Sequence, residues 1–491
     1  MKKYLKSNWP FIVLAILVFA TRFWNLGIPS EVVFDEVHFG KFISAYFSHK
    51  YYFDIHPPLG KLMIAGFSKV AGLEPNFDFN LIGETYDYRS LFILRFLPAF
   101  FGSLFVLLLY KLILALGCSK KAAFFGASLV LLDNAFLVES KFILVDSFLF
   151  FFGFASLYFY FLSKKASGTG QIILLAVASV FTGLSISIKW TGLTFFAIIS
   201  FSILIDFFKN PKIKPLLLKA LLFSIAPFLI YFSSFIVHFS LLYKSGPGDA
   251  FMSPTFQKEL QGSTVYTTTK PLSFWQKFVE LNKAMYTGSA TLTATHPDGS
   301  QWFEWPFMRK PIWYWVKNIP NKAANIYLFG NPAIWWSTGF LMIGLALSLL
   351  IGKPLIFGRM KKIPFDFYLL LLGYFINLLA FIFIGRVTFL YHYLISLTFA
   401  ILIFAYLADR EFSDASIIEE KPYKIKKLME KGKLEIEKGF FGFRSFSYFG
   451  AYSGFLLAAL ACFIFFAPIS YGLPISQQIN SVYQVLIKIL H

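Results

Sequence analysis

The amino-acid sequence predicts an all-α integral membrane protein with about eleven transmembrane helices, and three observations lead to that fold class. Of the 491 residues, 57% are hydrophobic and only 14% are charged, which would leave too much apolar surface on a water-soluble fold. The hydrophobic residues gather in runs of roughly 20, the length of helix that crosses a bilayer. Lysine and arginine are concentrated in alternate short loops, which is typical of the cytoplasmic side of a membrane protein.

The apolar runs define the predicted spans. They cover residues 10–28, 90–116, 122–140, 142–163, 171–188, 191–208, 216–240, 332–351, 365–385, 387–408 and 447–467. The first run resembles a signal peptide, but Arg22 follows it without a small-residue cleavage site, so we expect an uncleaved span. A cytoplasmic N-terminus puts every basic loop on one side. The net charge of +19 then reflects topology and anionic head groups, and no nucleic-acid partner is expected.

The external loop 29–89 and the connection 241–330 are too long to be mere connectors, so we look for function there. In the first loop, apolar residues recur at helical spacing and predict an interfacial helix with its apolar face in lipid; they are Phe39, Phe42, Ile43, Tyr46 and Phe47. Asp35 and Glu36 would open this helix. Asp35 could serve as its N-cap or as a general base kept ionised beside the helix N-terminus, and the two roles are compatible.

These residues belong to a longer pattern. It comprises Arg22-Phe23-Trp24-Asn25-Leu26, Phe34-Asp35-Glu36-Val37-His38-Phe39-Gly40-Lys41-Phe42 and His56-Pro57-Pro58-Leu59-Gly60-Lys61-Leu62. The pattern resembles the protein O-mannosyltransferase family. The likeness continues at Leu94–Ala99, Asp133–Ala135, Glu139–Ser147, Gly183–Leu193, His296–Pro306 and Phe389–Tyr393, so it covers most of the chain. It departs at Lys141, where an arginine is common, and in 241–330, which is too short for the soluble domain of fungal and animal members.

The resemblance implies a GT-C fold in its bacterial form. It implies transfer of mannose from polyprenyl-phosphate-mannose to Ser or Thr hydroxyls of unfolded or translocating exported proteins. A hydroxyl is a weak nucleophile that benefits from a base, and a lipid phosphate leaving group needs cations. Side chains of adjacent residues such as Asp35 and Glu36 are expected to point apart. This favours an inverting single displacement, with Asp35 as base and Glu36 in support, over a double displacement.

Read this way, the chain has three regions. Residues 1–240 form the N-terminal catalytic transmembrane module, with its catalytic loop at 29–89. Residues 241–330 form an external region expected on the acceptor side. Residues 331–491 form a C-terminal region of four transmembrane helices with a basic cytoplasmic loop at 409–446.

Five basic or imidazole side chains are expected at the external level of the spans, where they would contact the donor phosphate or lipid: Arg95, Lys189, Arg386, His56 and His392. Each has an alternative role. Arg95 could form a buried ion pair with Asp146 or Glu139. Lys189 and Arg386 could be snorkelling anchors, and the two histidines could be structural. Asp133, Glu139 and Asp146 are expected to form polar pairs that hold spans together.

The acceptor side is predicted at His296, Trp302 and Glu304, within a tryptophan-rich stretch that could equally form an interfacial aromatic belt. No motif requires a metal or another cofactor, although a divalent cation near Asp35 or Glu36 stays open. Membrane lipids, and the export translocon as a further possibility, complete the expected partners. The predicted location is the plasma membrane, with the active site on the external face.

Two other functions compete with this one. A related transferase could move a lipid-linked sugar to a lipid or glycan acceptor, as an aminoarabinose transferase of lipid A does. A transporter or flippase would show repeated halves with broken helices and midplane charges. This sequence has no visible repeat, and its polar residues gather near one face.

Overall fold

The computed structural model describes residues 2–74, 77–267, 272–291, 295–352, 363–419 and 438–491. The α-helices in chain order are α1 (Lys2–Phe23), α2 (Glu36–Ser48), α3 (Leu59–Val70), α4 (Tyr88–Ala115), α5 (Lys120–Leu131), α6 (Asn134–Lys141), α7 (Asp146–Ser163), α8 (Gly168–Ile188), α9 (Leu193–Lys209), α10 (Ile213–Leu241), α11 (Pro254–Gln257), α12 (Phe274–Thr291), α13 (Pro332–Ile351), α14 (Phe365–Leu379), α15 (Leu394–Glu419), α16 (Lys438–Tyr471) and α17 (Gln477–Leu490). The predicted basic loop, 409–446, includes residues 420–437, which lie outside the described residues.

A small antiparallel sheet accompanies the helices. It contains β1 (Ile312–Ile319), β2 (Lys322–Leu328) and β3 (Ile475–Ser476), in that order. The first two strands form a hairpin, and β3 pairs Ile475 with Ala323. This sheet was not predicted, but the fold class, a mostly helical membrane protein, is confirmed.

In the described part of the chain, nine helices are long and apolar enough to span a membrane. The pair α5 and α6 would supply a tenth span, although it bends by 62° at a short break. The first predicted span corresponds to a shorter apolar stretch, Asn8–Phe23. The protein is therefore a multi-pass membrane protein, and the predicted span 122–140 is a broken helix.

Polar side chains explain that break. The Asp133 carboxylate caps α6 by accepting the N–H groups of Ala135 and Phe136 at 3.0 and 3.1 Å. On the other side, the guanidinium of Arg22 donates to the carbonyls of Val130 and Leu131, at the end of α5. Both helix termini therefore find partners inside the protein, which is the condition for a break at membrane depth.

The first external loop contains two helices, α2 and α3, but α2 does not face lipid as expected. Phe39, Ile43 and Tyr46 are at most 6% exposed because they pack inside the protein. The hydroxyl of Tyr46 forms a 2.9 Å hydrogen bond with Nδ1 of His238 on α10. The expectation of a lipid-facing helix was wrong because helical spacing identifies an apolar face without identifying what covers it.

Candidate active site

Asp35 occupies the N-cap position of α2, yet its carboxylate accepts no hydrogen bond from that helix. The side chain is half-buried, between the protein interior and solvent. Burial raises the pKa of Asp35, while the positive charges of His38 and Lys189 oppose this rise. A carboxylate without a capping role, with its pKa moved upward, suits a general base.

Glu36 lies in a different environment. Its two oxygens accept hydrogen bonds from Nε and Nη2 of Arg95, both at 2.8 Å, and both side chains are fully buried. The same carboxylate accepts the backbone N–H groups of Val33 and Ile143, each at 2.9 Å. Glu36 is therefore saturated with donors and held away from Asp35.

Arg95 is equally saturated. Besides binding Glu36, its guanidinium donates to the carbonyls of Leu26, Pro29 and Glu31 at 3.3, 2.9 and 2.9 Å. These contacts use all five N–H donors of an arginine and leave none for a phosphate. The placement favours an anchor for the loop over the predicted phosphate contact. The alternative, a buried ion pair, is present, but naming Asp146 or Glu139 as its partner was wrong.

The hairpin braces the same loop from its other side. The ring of Tyr314 stacks on Phe34, with 4.1 Å between centroids and 14° between planes. The Phe34 N–H donates to the Tyr314 carbonyl at 3.0 Å, and the Tyr314 hydroxyl donates to Glu139 at 2.7 Å. Phe34 has a φ of 45°, an unusual value for a residue with a side chain, so neighbouring contacts must stabilise it.

Sequence reasoning missed this hairpin because its tryptophans resemble an interfacial belt. A signal was available: β-branched and aromatic residues dominate 312–316, and Pro320-Asn321 supplies a turn before β2. The hairpin also binds Glu31, which accepts the indole N–H of Trp315 at 2.8 Å and pairs with Lys317.

A cavity of about 120 Å³ is lined by Lys189 and Asp146, whose charges act on Asp35. Four of the five side chains predicted for the donor phosphate line it together: His56, Lys189, Arg386 and His392. They come from distant parts of the chain: the loop before α3, the end of α8, and the segment leading into α15. Tyr391 and Asp146 also line the cavity, and sequence reasoning did not assign Tyr391 to the site.

The two cations that line the cavity, Lys189 and Arg386, differ in how far they are free to bind an anion. Lys189 donates two hydrogen bonds to Asp146, at 2.9 and 2.7 Å, so its charge is shared. The guanidinium of half-buried Arg386 contacts the Val387 carbonyl at 3.3 Å, and no carboxylate in the described residues pairs with it. Burial and the nearby cations lower the pKa of His56, which favours its neutral imidazole. Arg386 is thus the more available anion-binding group.

The segment predicted for the acceptor adjoins the cavity without lining it. His296 is exposed and accepts the Asp298 N–H, whereas Glu304 accepts the Gln301 N–H in its own turn. Trp302 is half-buried. Two hydrogen bonds between Ser300 and Thr388, 2.8 and 2.6 Å long, attach this segment to the chain that carries Arg386.

The neighbouring Trp305 lies closer to the site than the predicted residues. It stacks on His392, with centroids 5.9 Å apart. Deeper in the loop, Lys61 pairs with Asp54 and donates to the His56 carbonyl at 2.9 Å, which orients the turn that carries His56. In the described residues, no group of three His, Cys, Asp or Glu side chains could hold a metal ion.

Two family models match the chain. The model described as dolichyl-phosphate-mannose-protein mannosyltransferase matches residues 12–243, and the model of the C-terminal four-transmembrane region of protein O-mannosyltransferase matches 274–487. Dolichyl-phosphate-mannose–protein mannosyltransferase 4 of Schizosaccharomyces pombe is 33% identical over 351 residues, which are 67% of this chain and 43% of the relative. Protein O-mannosyltransferase 1 of Drosophila melanogaster is 35% identical over 340 residues, 66% of this chain and 37% of the relative. The chain thus spans less than half the length of these relatives.

Solved structures share the fold. A chain of the Saccharomyces cerevisiae protein O-mannosyltransferase Pmt1-Pmt2 complex, bound to the sugar donor, superposes with a TM-score of 0.81 at 21% identity, covering 98% of this chain and 92% of that chain. ArnT from Cupriavidus metallidurans reaches a TM-score of 0.51 at 11% identity, covering 94% and 76%. The fold is of the GT-C type, as expected. Together, the two family models and these likenesses show that the chain belongs to the protein O-mannosyltransferase family.

Proposed function

We propose that this protein transfers mannose from a polyprenyl-phosphate-mannose donor to Ser or Thr hydroxyls of a protein. The observation that carries the proposal is that Asp35, a carboxylate unused by its helix, interacts electrostatically with residues that line a cavity containing the available guanidinium of Arg386. The relatives support it, since they are named as mannosyltransferases that act on proteins from dolichyl-phosphate-mannose.

The proposed step is a single displacement. Arg386 and Lys189 hold the donor phosphate, and His56 and His392 contribute hydrogen bonds from the cavity wall. The acceptor oxygen attacks C1 of the sugar while Asp35 takes its proton. The bond from C1 to the phosphate oxygen breaks, and the lipid phosphate leaves with the electron pair, stabilised by the two cations. The configuration at C1 inverts.

The saturation of Glu36 supports inversion. A retaining double displacement needs one carboxylate as nucleophile and a second group as acid and base. Glu36 makes four hydrogen bonds to Arg95, Val33 and Ile143, and it is fully buried. It supports the base by fixing the loop, and Asp35 acts alone on the acceptor. A divalent cation is not required for this chemistry.

The setting of the reaction follows from the charge pattern. With a cytoplasmic N-terminus, the catalytic loop 29–89 and the acceptor-side region 241–330, including His296, Trp302 and Glu304, face the outside of the plasma membrane. The module 1–240 then carries catalysis, and 331–491 completes the cavity through Arg386 and His392. The acceptor is an exported, unfolded protein, and the export translocon would be its source.

The test uses membranes containing the whole chain and radiolabelled polyprenyl-phosphate-mannose. We expect label to move to a Ser/Thr-rich peptide and not to the matched peptide in which Ala replaces Ser and Thr. A lipid acceptor offered in parallel distinguishes the related lipid-directed transferases, whose fold is shared. Label in the lipid alone would contradict the proposal, and movement of intact donor across the bilayer without transfer would indicate a flippase.

A further inference from the structure

The helix α17 has three faces that meet different surroundings. Tyr483 and Ile487 are buried against the protein. Four aliphatic side chains are 50–67% exposed: Ile479, Val482, Val485 and Ile489. A third set is polar and exposed: Ser481, Gln484 and Lys488. Within each set the residues recur every three or four positions, so each set occupies one side of the helix.

The buried face fixes the orientation of α17. The Tyr483 hydroxyl donates to the Phe465 carbonyl of α16 at 2.5 Å. The Lys310 N–H donates to the Leu490 carbonyl at 2.9 Å, at the C-terminal end of the helix. Attached at its middle and at its C-terminal end, α17 cannot rotate to bury its aliphatic face.

The aliphatic face continues a surface that already meets lipid. Helix α16 is one of the apolar spans, and its side chains Leu457, Ile464 and Phe465 are 64%, 61% and 46% exposed. Tyr483 packs directly on the ring of Phe465, 5.4 Å between centroids. Only five residues separate the end of α16 from the start of α17, so α17 lies at the membrane surface. Exposing these aliphatic groups to water would cost free energy in proportion to their exposed area.

We propose that α17 is an interfacial helix that inserts Ile479, Val482, Val485 and Ile489 into the boundary between lipid head groups and acyl chains. Its polar face meets water, and Lys488 can reach the phosphates of anionic lipids. A helix that contacts only protein and water has one apolar and one polar face. Contact with the bilayer explains the additional, aliphatic face of α17.

Hydrogen bonds between α17 and β2 connect the lipid contact of α17 to the position of the hairpin. Asn480 accepts a hydrogen bond from Asn325 of β2 at 2.7 Å, and Gln477 donates to the Lys322 carbonyl at 3.0 Å. The depth of α17 in the bilayer therefore sets the height of the hairpin that packs on the loop preceding Asp35. The lipid contact itself does not depend on the proposed enzymatic activity.

The experiment uses the full chain in lipid nanodiscs, with Cys118 and Cys462 replaced by alanine. Val485→Cys and Gln484→Cys, neighbouring positions on different faces, each carry a bimane fluorophore. We expect brominated phospholipids to quench the label at 485 at least threefold more than the label at 484, and aqueous iodide to show the reverse order. Equal quenching of both labels by either agent would overturn the proposal.

Two further measurements separate lipid from other occupants. One copy per nanodisc must give the same quenching as several, since a dependence on copy number would assign the face to a second protein molecule. In the Val485→Cys background, Val482→Glu should reduce quenching by brominated lipid at least twofold, whereas Ser481→Glu should not change it. If both glutamate variants behave alike, the aliphatic face is not a lipid contact.

Discussion

The Glu36–Arg95 pair and the cavity around Arg386 are both polar regions inside an apolar protein, but their hydrogen bonds are satisfied to different degrees. Glu36 and Arg95 are 0% exposed and each uses every donor or acceptor position it has for protein groups. In the second region, half-buried Arg386 lines the cavity and contacts one carbonyl, and the nearby loop residue Asp35 has a carboxylate that accepts no bond from its helix. The first region is complete without a ligand, whereas the second has capacity left for one.

This difference assigns roles that residue type alone does not. A saturated ion pair in a low-dielectric interior fixes its neighbours, because losing either partner leaves a buried charge. An arginine with free donors beside a cavity can bind a phosphate in a bidentate manner. The break between α5 and α6 belongs with the saturated region, since Asp133 and Arg22 serve there as caps for helix termini.

The strongest test of the comparison replaces Asp35. Asp35 and the cavity around Arg386 form the open region, which has hydrogen-bonding capacity left, and the Glu36–Arg95 pair forms the closed region. Asp35→Asn should reduce transfer to the peptide by about 10³-fold, because a positioned general base contributes on the order of 10²–10⁴. Its thermal unfolding in detergent should stay close to that of the unchanged protein, since no cap is lost. Turnover is measured with labelled donor at saturating peptide.

A carboxylate in the same loop provides the matched control. Asp87 is a working N-cap, whose carboxylate accepts the Ser90 N–H at 2.9 Å. Asp87→Asn should lower stability slightly and leave turnover nearly unchanged, the opposite of Asp35→Asn. Near-normal turnover of Asp35→Asn would remove the base from the mechanism.

In the closed region, Arg95→Met should mainly lower the stability of the protein. Breaking a buried pair by removing one partner costs about 3–5 kcal/mol, because Glu36 would keep its charge without a counterion. The double variant Glu36→Gln with Arg95→Met should recover part of this loss, as measured by denaturant unfolding. A stable Arg95→Met protein with a raised KM for donor would instead restore the predicted phosphate contact.

In the open region, Arg386→Ala should weaken the use of donor about 10²-fold in kcat/KM, the usual effect of losing a cation that stabilises developing charge. Arg386→Lys should restore part of this activity, because a lysine keeps the charge without the bidentate geometry. Thermal stability should not change for either variant. The control is Arg309→Ala, which removes an exposed guanidinium outside the cavity lining. Equal losses from Arg309→Ala and Arg386→Ala would refute a specific role.

The sequence predicted most of the spans, although 122–140 is broken and the first apolar helix is shorter than predicted. It also predicted four side chains that share the cavity, since charge and polarity at span ends mark one membrane level. It did not predict which charges are satisfied. Arg95 and Arg386 look equivalent in sequence, and only packing shows that Arg95 meets three loop carbonyls. The contact of Tyr314 with the loop was also not predictable, because a contact between residues 280 positions apart leaves no local pattern.

The smallest expected effect concerns Tyr314, which lies between the two regions. Tyr314→Phe keeps the stacking on Phe34 and removes the hydrogen bond to Glu139. Losing one such bond costs about 1 kcal/mol of stability. If the same amount is lost in positioning the loop for the transition state, turnover falls by about fivefold, with donor KM unchanged. Tyr327→Phe, a half-buried hydroxyl on β2, is the control and should have no effect.

The pH profile makes this variant informative about Asp35. Asp35 acts as a base only when ionised, and burial raises its pKa, so the rate should fall as the pH falls through that raised value. Tyr314→Phe leaves in place the charges that act on Asp35, among them His38 and Lys189. The acidic limb of kcat/KM should therefore stay in place in Tyr314→Phe, as in Tyr327→Phe, while turnover falls only in Tyr314→Phe. A limb that moves in Tyr314→Phe would show that Tyr314 influences the base as well as the loop.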